Sequence, residues 1–302
     1  MVQTIWVIVM NKKGTLKKNL PFILIFVLGL LIFAYPLISQ KYYEIESTNE
    51  VVEFKKKTDE VDKADVEKRI DLARAYNATL DPSRLADPFT EKEKEGRAEY
   101  ARMLEVNEML GHVEIPRIGQ DLPVYAGTSD DVLEKGLGHL EGTSLPIGGT
   151  STHTVITGHR GLPNAKMFRN LDQLVEGDIF YIHNIDTTLA YQIDHIEVVD
   201  PSNFEPVMVK EGEDLATLLT CTPYMINSHR LLVRGHRIPY QEAIDDGVAN
   251  TPRLKPDFLQ LFLVMLPVIV FLLIILIREA KRRKRLSKEV ESIEQEIKAY
   301  KN

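Results

Sequence analysis

The chain has 302 residues, 44% hydrophobic and 27% charged, with one cysteine and a formal net charge of −7. That suffices for one or two packed domains and excludes both a disulfide-stapled scaffold and a disordered chain. From Leu20 to Ile38 the sequence is uncharged and long enough, at 1.5 Å per helical residue, to cross a hydrocarbon layer of about 30 Å. Leu37 to Lys41 offers no A-x-A-like cleavage site, so this segment reads as a retained anchor, residues 20–38, rather than a signal peptide. Ile5 to Met10 is apolar but too short to span. A second uncharged run, residues 258–277, reads as another span, since neither run has the polar stripe of a soluble core helix.

Charge gives the orientation. Residues 1–19 carry +4, and residues 278–302 carry nine basic against five acidic groups, so both termini are expected in the cytoplasm and the middle, with −15, outside. Such an acidic ectodomain argues against nucleic acid as a partner. In the basic tail, Leu286, Val290, Ile293 and Ile297 have the spacing of a short surface helix. One cysteine in an external domain fits a bacterial surface better than a disulfide-rich secretory one.

Residues 44–110 are highly charged, and Asp59–Ala78 and Thr90–Val106 carry apolar residues at helical intervals. Between them lies a turn-rich segment, residues 81–89, containing Asp87, Pro88 and Phe89. From 111 to 240 the texture changes to short β-branched runs between turn residues. The runs are His112–Ile115, His153–Thr157, Asp178–Ile182, Thr188–Val199, Ala216–Thr220 and Arg230–Ile238, and they predict a barrel or sandwich. Residues 241–257 read as a linker back to the membrane.

Cys221 closes one strand-like run, and Arg230 opens the next after an eight-residue loop. His159 lies in Thr157-Gly158-His159-Arg160-Gly161, where flanking glycines let a strand end bend and present the imidazole. If neighbouring strands bring these together, the set is chemically sensible. A free cysteine has a pKa of about 8.5 and needs a nearby imidazole or guanidinium to favour the thiolate. The imidazole would then protonate a leaving amine, and the permanently charged guanidinium suits an oxyanion. Each residue also has a plain structural use: a small buried hydrophobe, a turn cap, a solvated charge. Seven other histidines compete, at 112, 139, 153, 183, 195, 229 and 236. With no second cysteine and no H-x-x-x-H or H-E-x-x-H spacing, a zinc site is disfavoured, and thiol chemistry of this kind requires neither a metal nor an organic cofactor.

Thr217-Leu218-Leu219-Thr220-Cys221-Thr222-Pro223-Tyr224, followed by His229-Arg230-Leu231-Leu232-Val233-Arg234, closely resembles the signature of sortases, and Thr157–Pro163 is similar to their catalytic-histidine segment. The Cys-Thr-Pro-Tyr continuation, the second apolar run and Asp87-Pro88-Phe89 resemble class C sortases, the pilus-building branch. The resemblance covers roughly residues 50–280. It implies a mostly β fold, an eight-stranded barrel with an N-terminal helical and lid region between two membrane helices. It further implies Cys221 as nucleophile, His159 as proton donor and acceptor, and Arg230 as oxyanion or substrate stabiliser. In the implied lid, Asp87 pairs with the catalytic arginine and Phe89 lies over the cysteine. Two positions depart from the family's habit: Phe89 stands where Trp is frequent, and Met225 where Gly is common.

The reaction so implied is transpeptidation. Cys221 cleaves the Thr-Gly bond of an LPxTG-like sorting signal on a pilin or other surface protein, and a lysine amine of the next pilin resolves the thioester. The expected setting is the membrane of a Gram-positive bacterium, where anchoring gives enzyme and tail-anchored substrate a high effective concentration. Three other readings share part of this evidence: a housekeeping sortase acting on cell-wall precursor, a membrane-bound cysteine hydrolase, and a non-catalytic surface-binding protein.

Overall fold

The computed structural model describes residues 2–80, 101–241 and 243, with 266–272 and scattered positions up to 292 in the C-terminal segment. Asp87, Pro88 and Phe89 lie outside the described residues, as do the linker after 243 and the start of the second expected span. The chain forms two compact units, one of residues 1–36 with 255–302, the other of residues 37–254.

Helix α1 (Val2–Glu60) is much longer than the expected span. Its stretch Leu24–Glu60 is the one helix among the described residues that is long and apolar enough to cross a membrane, by length and composition. In the same unit, the described parts of the second run are helical, and Phe271 stacks on Phe26 with ring centroids 3.7 Å apart. Beyond Leu37 the helix continues because its sequence turns amphipathic. Tyr43, Ser47, Val51 and Phe54 recur every three or four residues along one side, with Glu50 beside them. Val51 and Phe54 are buried in the barrel unit's main core. Tyr43 donates to the Lys135 carbonyl (2.9 Å), Ser47 to that of Asp121 (3.4 Å), and Glu50 accepts from Tyr125 (2.6 Å). Asp62 then caps α2 (Lys63–Asn77) by accepting from Ala64 N at 2.8 Å. At the other end, Asn77 pairs with both backbone groups of Leu145 (2.8 and 3.3 Å). Of the second expected helix, residues 90–100 are outside the described residues, and 101–106 form turns leading to a bridge between Val106 and Met109.

Eight strands close a barrel in the order β1-β2-β3-β4-β7-β8-β6-β5: β1 (Met109–Ile115), β2 (Gln120–Ala126), β3 (Leu137–His139), β4 (Thr152–Thr157), β5 (Ile179–His183), β6 (Thr188–Val199), β7 (Asp214–Thr222) and β8 (His229–Ile238). The expected eight-stranded barrel of a mostly β fold is therefore observed, and the sandwich is not. Pairs β2–β3 and β4–β7 are parallel, the rest antiparallel. A six-residue helix, α3 (Asp130–Lys135), carries the parallel crossover from β2 to β3.

Strands β2 and β3 were not expected. Pro123 interrupts β2 and lacks a ladder donor, which speaks against a strand on sequence grounds. Three residues of β3 are too few to show alternation. Its Gly138 is there for closeness: a Cβ would stand 2.3 Å from the Gly127 carbonyl oxygen.

Two fully buried histidines brace the barrel. His139 Nε2 is 2.8 Å from the Ser144 carbonyl. His153 bonds the Met208 carbonyl (2.9 Å) and Thr217 Oγ1 (2.8 Å). Burial lowers both to a pKa of about 4. The unfolded chain, at about 6.5, binds protons that the folded one refuses, so stability falls as pH drops from about 6.5 to 4. The ceiling is on the order of 3 kcal/mol per histidine. Urea unfolding at pH 7 and pH 5 should show the loss, and His139→Gln should flatten the dependence. Equal midpoints at the two pH values for the unsubstituted chain would contradict it.

Candidate active site

Strand β4 runs parallel to β7 with Thr157 opposite Leu219. Three contacts carry that register past the ladder. Gly158 N donates to Leu219 O (3.1 Å), Thr220 Oγ1 donates to Gly158 O (2.7 Å), and Arg160 Nη1 donates to Thr222 Oγ1 (2.6 Å). Residue 158 is thus level with 219–220 and residue 160 with 222, which sets His159 level with Cys221. On the other side of β7, Cys221 pairs directly with Arg230 of antiparallel β8. Cys221 and Arg230 therefore stand opposite each other on strands about 4.8 Å apart, and the backbone of His159, two residues past the end of β4, is level with them.

Alternation decides which way the row faces. Ile156, Leu218 and Val233 lie in the main core, whereas Val155, Leu219 and Leu232 pack with Leu140, Val199 and Val207 in a separate outer cluster. Cys221 is two residues from Leu219, and Arg230 two from Leu232, so both take the outer face. The sulfur is on the barrel wall and not inside it, though only 5% exposed.

Arg230 is 4% exposed, and its Nη1 donates to the carbonyls of Asn227 and His229, both at 3.0 Å. Its own loop therefore fixes it. His159 is half-buried. Burial lowers its pKa below the usual 6.5, opposed by Asp130 and Glu134, so the ring is predominantly neutral at neutral pH. Of the competing histidines, 139 and 153 are committed to core hydrogen bonds, and 112 and 183 stack on each other at 4.1 Å on β1 and β5. His195 and His236 lie further along β6 and β8. His229 pairs with Thr222 and so faces away from the row.

The two glycines around His159 serve different ends. Gly161 has φ +145°, in line with the expected bend. Gly158 does not; a Cβ there would meet Leu137 Cδ2 at 2.5 Å, so its reason is close packing. Sequence reasoning overlooked Arg160, which is 9% exposed and also pairs with Asp172 at 2.6 Å. Its only sequence signal is that it follows His159. Among the described residues no group of three or more His, Cys, Asp or Glu is arranged to hold a metal ion.

In the loop joining β7 to β8, Met225 has φ +66° with an 81% exposed side chain. A left-handed conformation favours glycine, and here methionine gains no burial in return. Met225→Gly should raise stability by about 0.5–1 kcal/mol, a Tm increase of a few degrees. An unchanged or lower Tm in calorimetry would refute this.

The sortase-domain profile matches residues 113–238. Sortase C of Streptococcus pneumoniae is 59% identical, with 64% of this chain and 97% of that chain covered at a TM-score of 0.60. A pilus-related sortase C of Group B Streptococcus is 57% identical, with 62% and 96% covered at a TM-score of 0.60. Sortase D of Bacillus subtilis (strain 168) is 28% identical over 137 residues, 44% of this chain and 66% of that protein, just under two thirds of its length.

Proposed function

The chain belongs to the sortase family of cysteine transpeptidases, in its class C branch, and from that premise we propose that it polymerises pilins at a Gram-positive cell membrane. Cys221 is the nucleophile, His159 the proton carrier and Arg230 the oxyanion donor. The observation that supports this reading is the single row His159–Cys221–Arg230 on the outer wall of the barrel. Solved relatives of 57–59% identity described as sortase C, one of them pilus-related, support the pilin substrate.

The neutral imidazole takes the thiol proton, and the thiolate attacks the threonine carbonyl of an LPxTG-like signal. Arg230 faces the oxygen on which charge develops, already oriented by the Asn227 and His229 carbonyls. The imidazolium then gives its proton to the departing glycine amine, leaving a thioester. A lysine amine of the next pilin attacks that thioester, loses its proton to His159, and releases the sulfur. The resemblance to class C sortases supports a lid role for Asp87, Pro88 and Phe89, with Asp87 as the partner of Arg230. The domain lies outside the cell between two spans, residues 20–38 and 258–277, with residues 1–19 and 278–302 cytoplasmic. Its substrates are pilins and other surface proteins with sorting signals; nucleic acid is not a partner.

Detergent-solubilised full chain should form a thioester on Cys221 with a sorting-signal peptide and build covalent ladders when a lysine-bearing pilin is added. Cys221→Ala should abolish both, and His159→Ala or Arg230→Ala should cut kcat/KM by about 10²–10⁴. Asp87→Ala with Phe89→Ala, run in parallel, should be faster by releasing the lid. Peptide acids without ladders would make the protein a hydrolase. No thioester even in the lid variant would end the enzymatic reading.

A further inference from the structure

We infer that Arg160 is a positioning residue for acyl transfer: its guanidinium, shared between Thr222 and Asp172, sets the row in which His159 faces Cys221. The inference rests on the reading of Cys221 as nucleophile and His159 as its proton partner.

The regular ladder stops at Thr157, two residues short of His159. The backbone tie of His159 itself points to its own loop, its carbonyl accepting from Phe168 N at 3.1 Å. Before His159, Gly158 is tied to Leu219 and Thr220, and the next tie to β7 falls after it. Arg160 is the next residue, and Thr222 the one after Cys221, so a bond between them closes the frame around the pair. Nη1 donates to Thr222 Oγ1 at 2.6 Å, and Nη2 lies 2.6 Å from Asp172 Oδ2. Asp172 belongs to a short turn, Leu171–Gln173, whose Leu171 is completely buried. The fork thus ties the end of β4, the end of β7 and a turn rooted in the core.

On β7, alternation turns Thr222 to the face opposite Cys221, and Arg160 reaches that face through its bond to Thr222. The clamp therefore works from behind the sulfur. Its Nε is buried and has no hydrogen-bond partner among the described residues, a cost that a merely solvated charge would not carry. A lysine would keep the charge but not the planar fork that reaches two acceptors at once.

Alkylation of Cys221 by iodoacetamide across pH 5–10, in the full chain, reads coupling to His159 without any turnover. His159→Ala gives the profile of an uncoupled thiol. Arg160→Met and Thr222→Val should both shift toward that profile, slowing alkylation at pH 7 by about tenfold. They should also lower kcat for peptide transfer by about 10–100-fold with KM within about threefold. Asp172→Asn should shift the profile the same way but less. Arg160→Lys should stay nearer Arg160→Met than wild type, and the Arg160→Met/Thr222→Val double variant should be no worse than Arg160→Met alone. Thr222→Val removes one hydroxyl and keeps the volume, so it remains informative if Arg160→Met fails to fold. Wild-type profiles in Thr222→Val and Asp172→Asn would overturn the inference. So would slower turnover with an unmoved alkylation profile and a lower Tm, which marks a structural role only. Should wild type give no peptide thioester while its alkylation still collapses in Thr222→Val, the clamp stands and the transpeptidase reading falls.

Discussion

Register between β4 and β7 is the constraint on which the chemistry depends. A slip of one residue would turn every side chain of one strand to the other face, leaving His159 pointing away from Cys221. Burial on both faces prevents it. Val155 and Leu219 pack outward while Ile156 and Leu218 pack inward, so no slipped register is free of a polar group in an apolar layer. With about 2 kcal/mol at stake per aliphatic side chain, displacing these four is comparable to the 5–15 kcal/mol that stabilises a whole domain. The polar rung between His153 Nε2 and Thr217 Oγ1 adds a directional check within the same ladder.

That rigidity gives the electrostatics their strength. Arg230 is nearly excluded from water, where a guanidinium acts at an effective dielectric well below that of bulk solvent. Two loop carbonyls already hold one end of the fork, so in the proposed oxyanion role little reorientation would be needed as charge develops on a substrate oxygen. His159 is poised in the other direction. In the proposed role, a pKa held below the usual 6.5 by burial would let it accept a proton first, and the carboxylates Asp130 and Glu134 would temper the cost of the cation that follows.

How much of this was legible in the sequence depended on the range of the signal. The strand ends at Cys221 and Arg230 were legible because β7 and β8 are long enough to alternate, whereas His159 was singled out by the distinctive run Thr157–Gly161 that follows β4. Strand β3 was not legible, because its three residues owe their pairing to neighbours that the sequence does not announce. Strand β2 hid behind Pro123. The length of α1 was missed because the boundary between apolar and amphipathic residues near Leu37 resembles an ending, although nothing there stops the helix. The Arg160–Asp172 pair was invisible for another reason: twelve positions separate the two residues, and only the turn at Leu171 makes them neighbours.

A thioester formed on this row faces a choice between water and an amine, and the geometry bears on that choice. Water is abundant but unoriented. A docked lysine is rare, yet an oriented neighbour in an enzyme site reaches effective molarities of about 10⁵ M or more. Selective transfer therefore asks for a sulfur that solvent reaches poorly and for an approach that a tethered partner supplies. Cys221, 5% exposed and flanked on both sides by fixed partners, meets the first condition. An apolar N-terminal helix able to hold the enzyme at the surface where its substrates emerge would meet the second. Burial of the nucleophile and attachment of the chain thus act on one partition, the first by disfavouring hydrolysis and the second by favouring the amine.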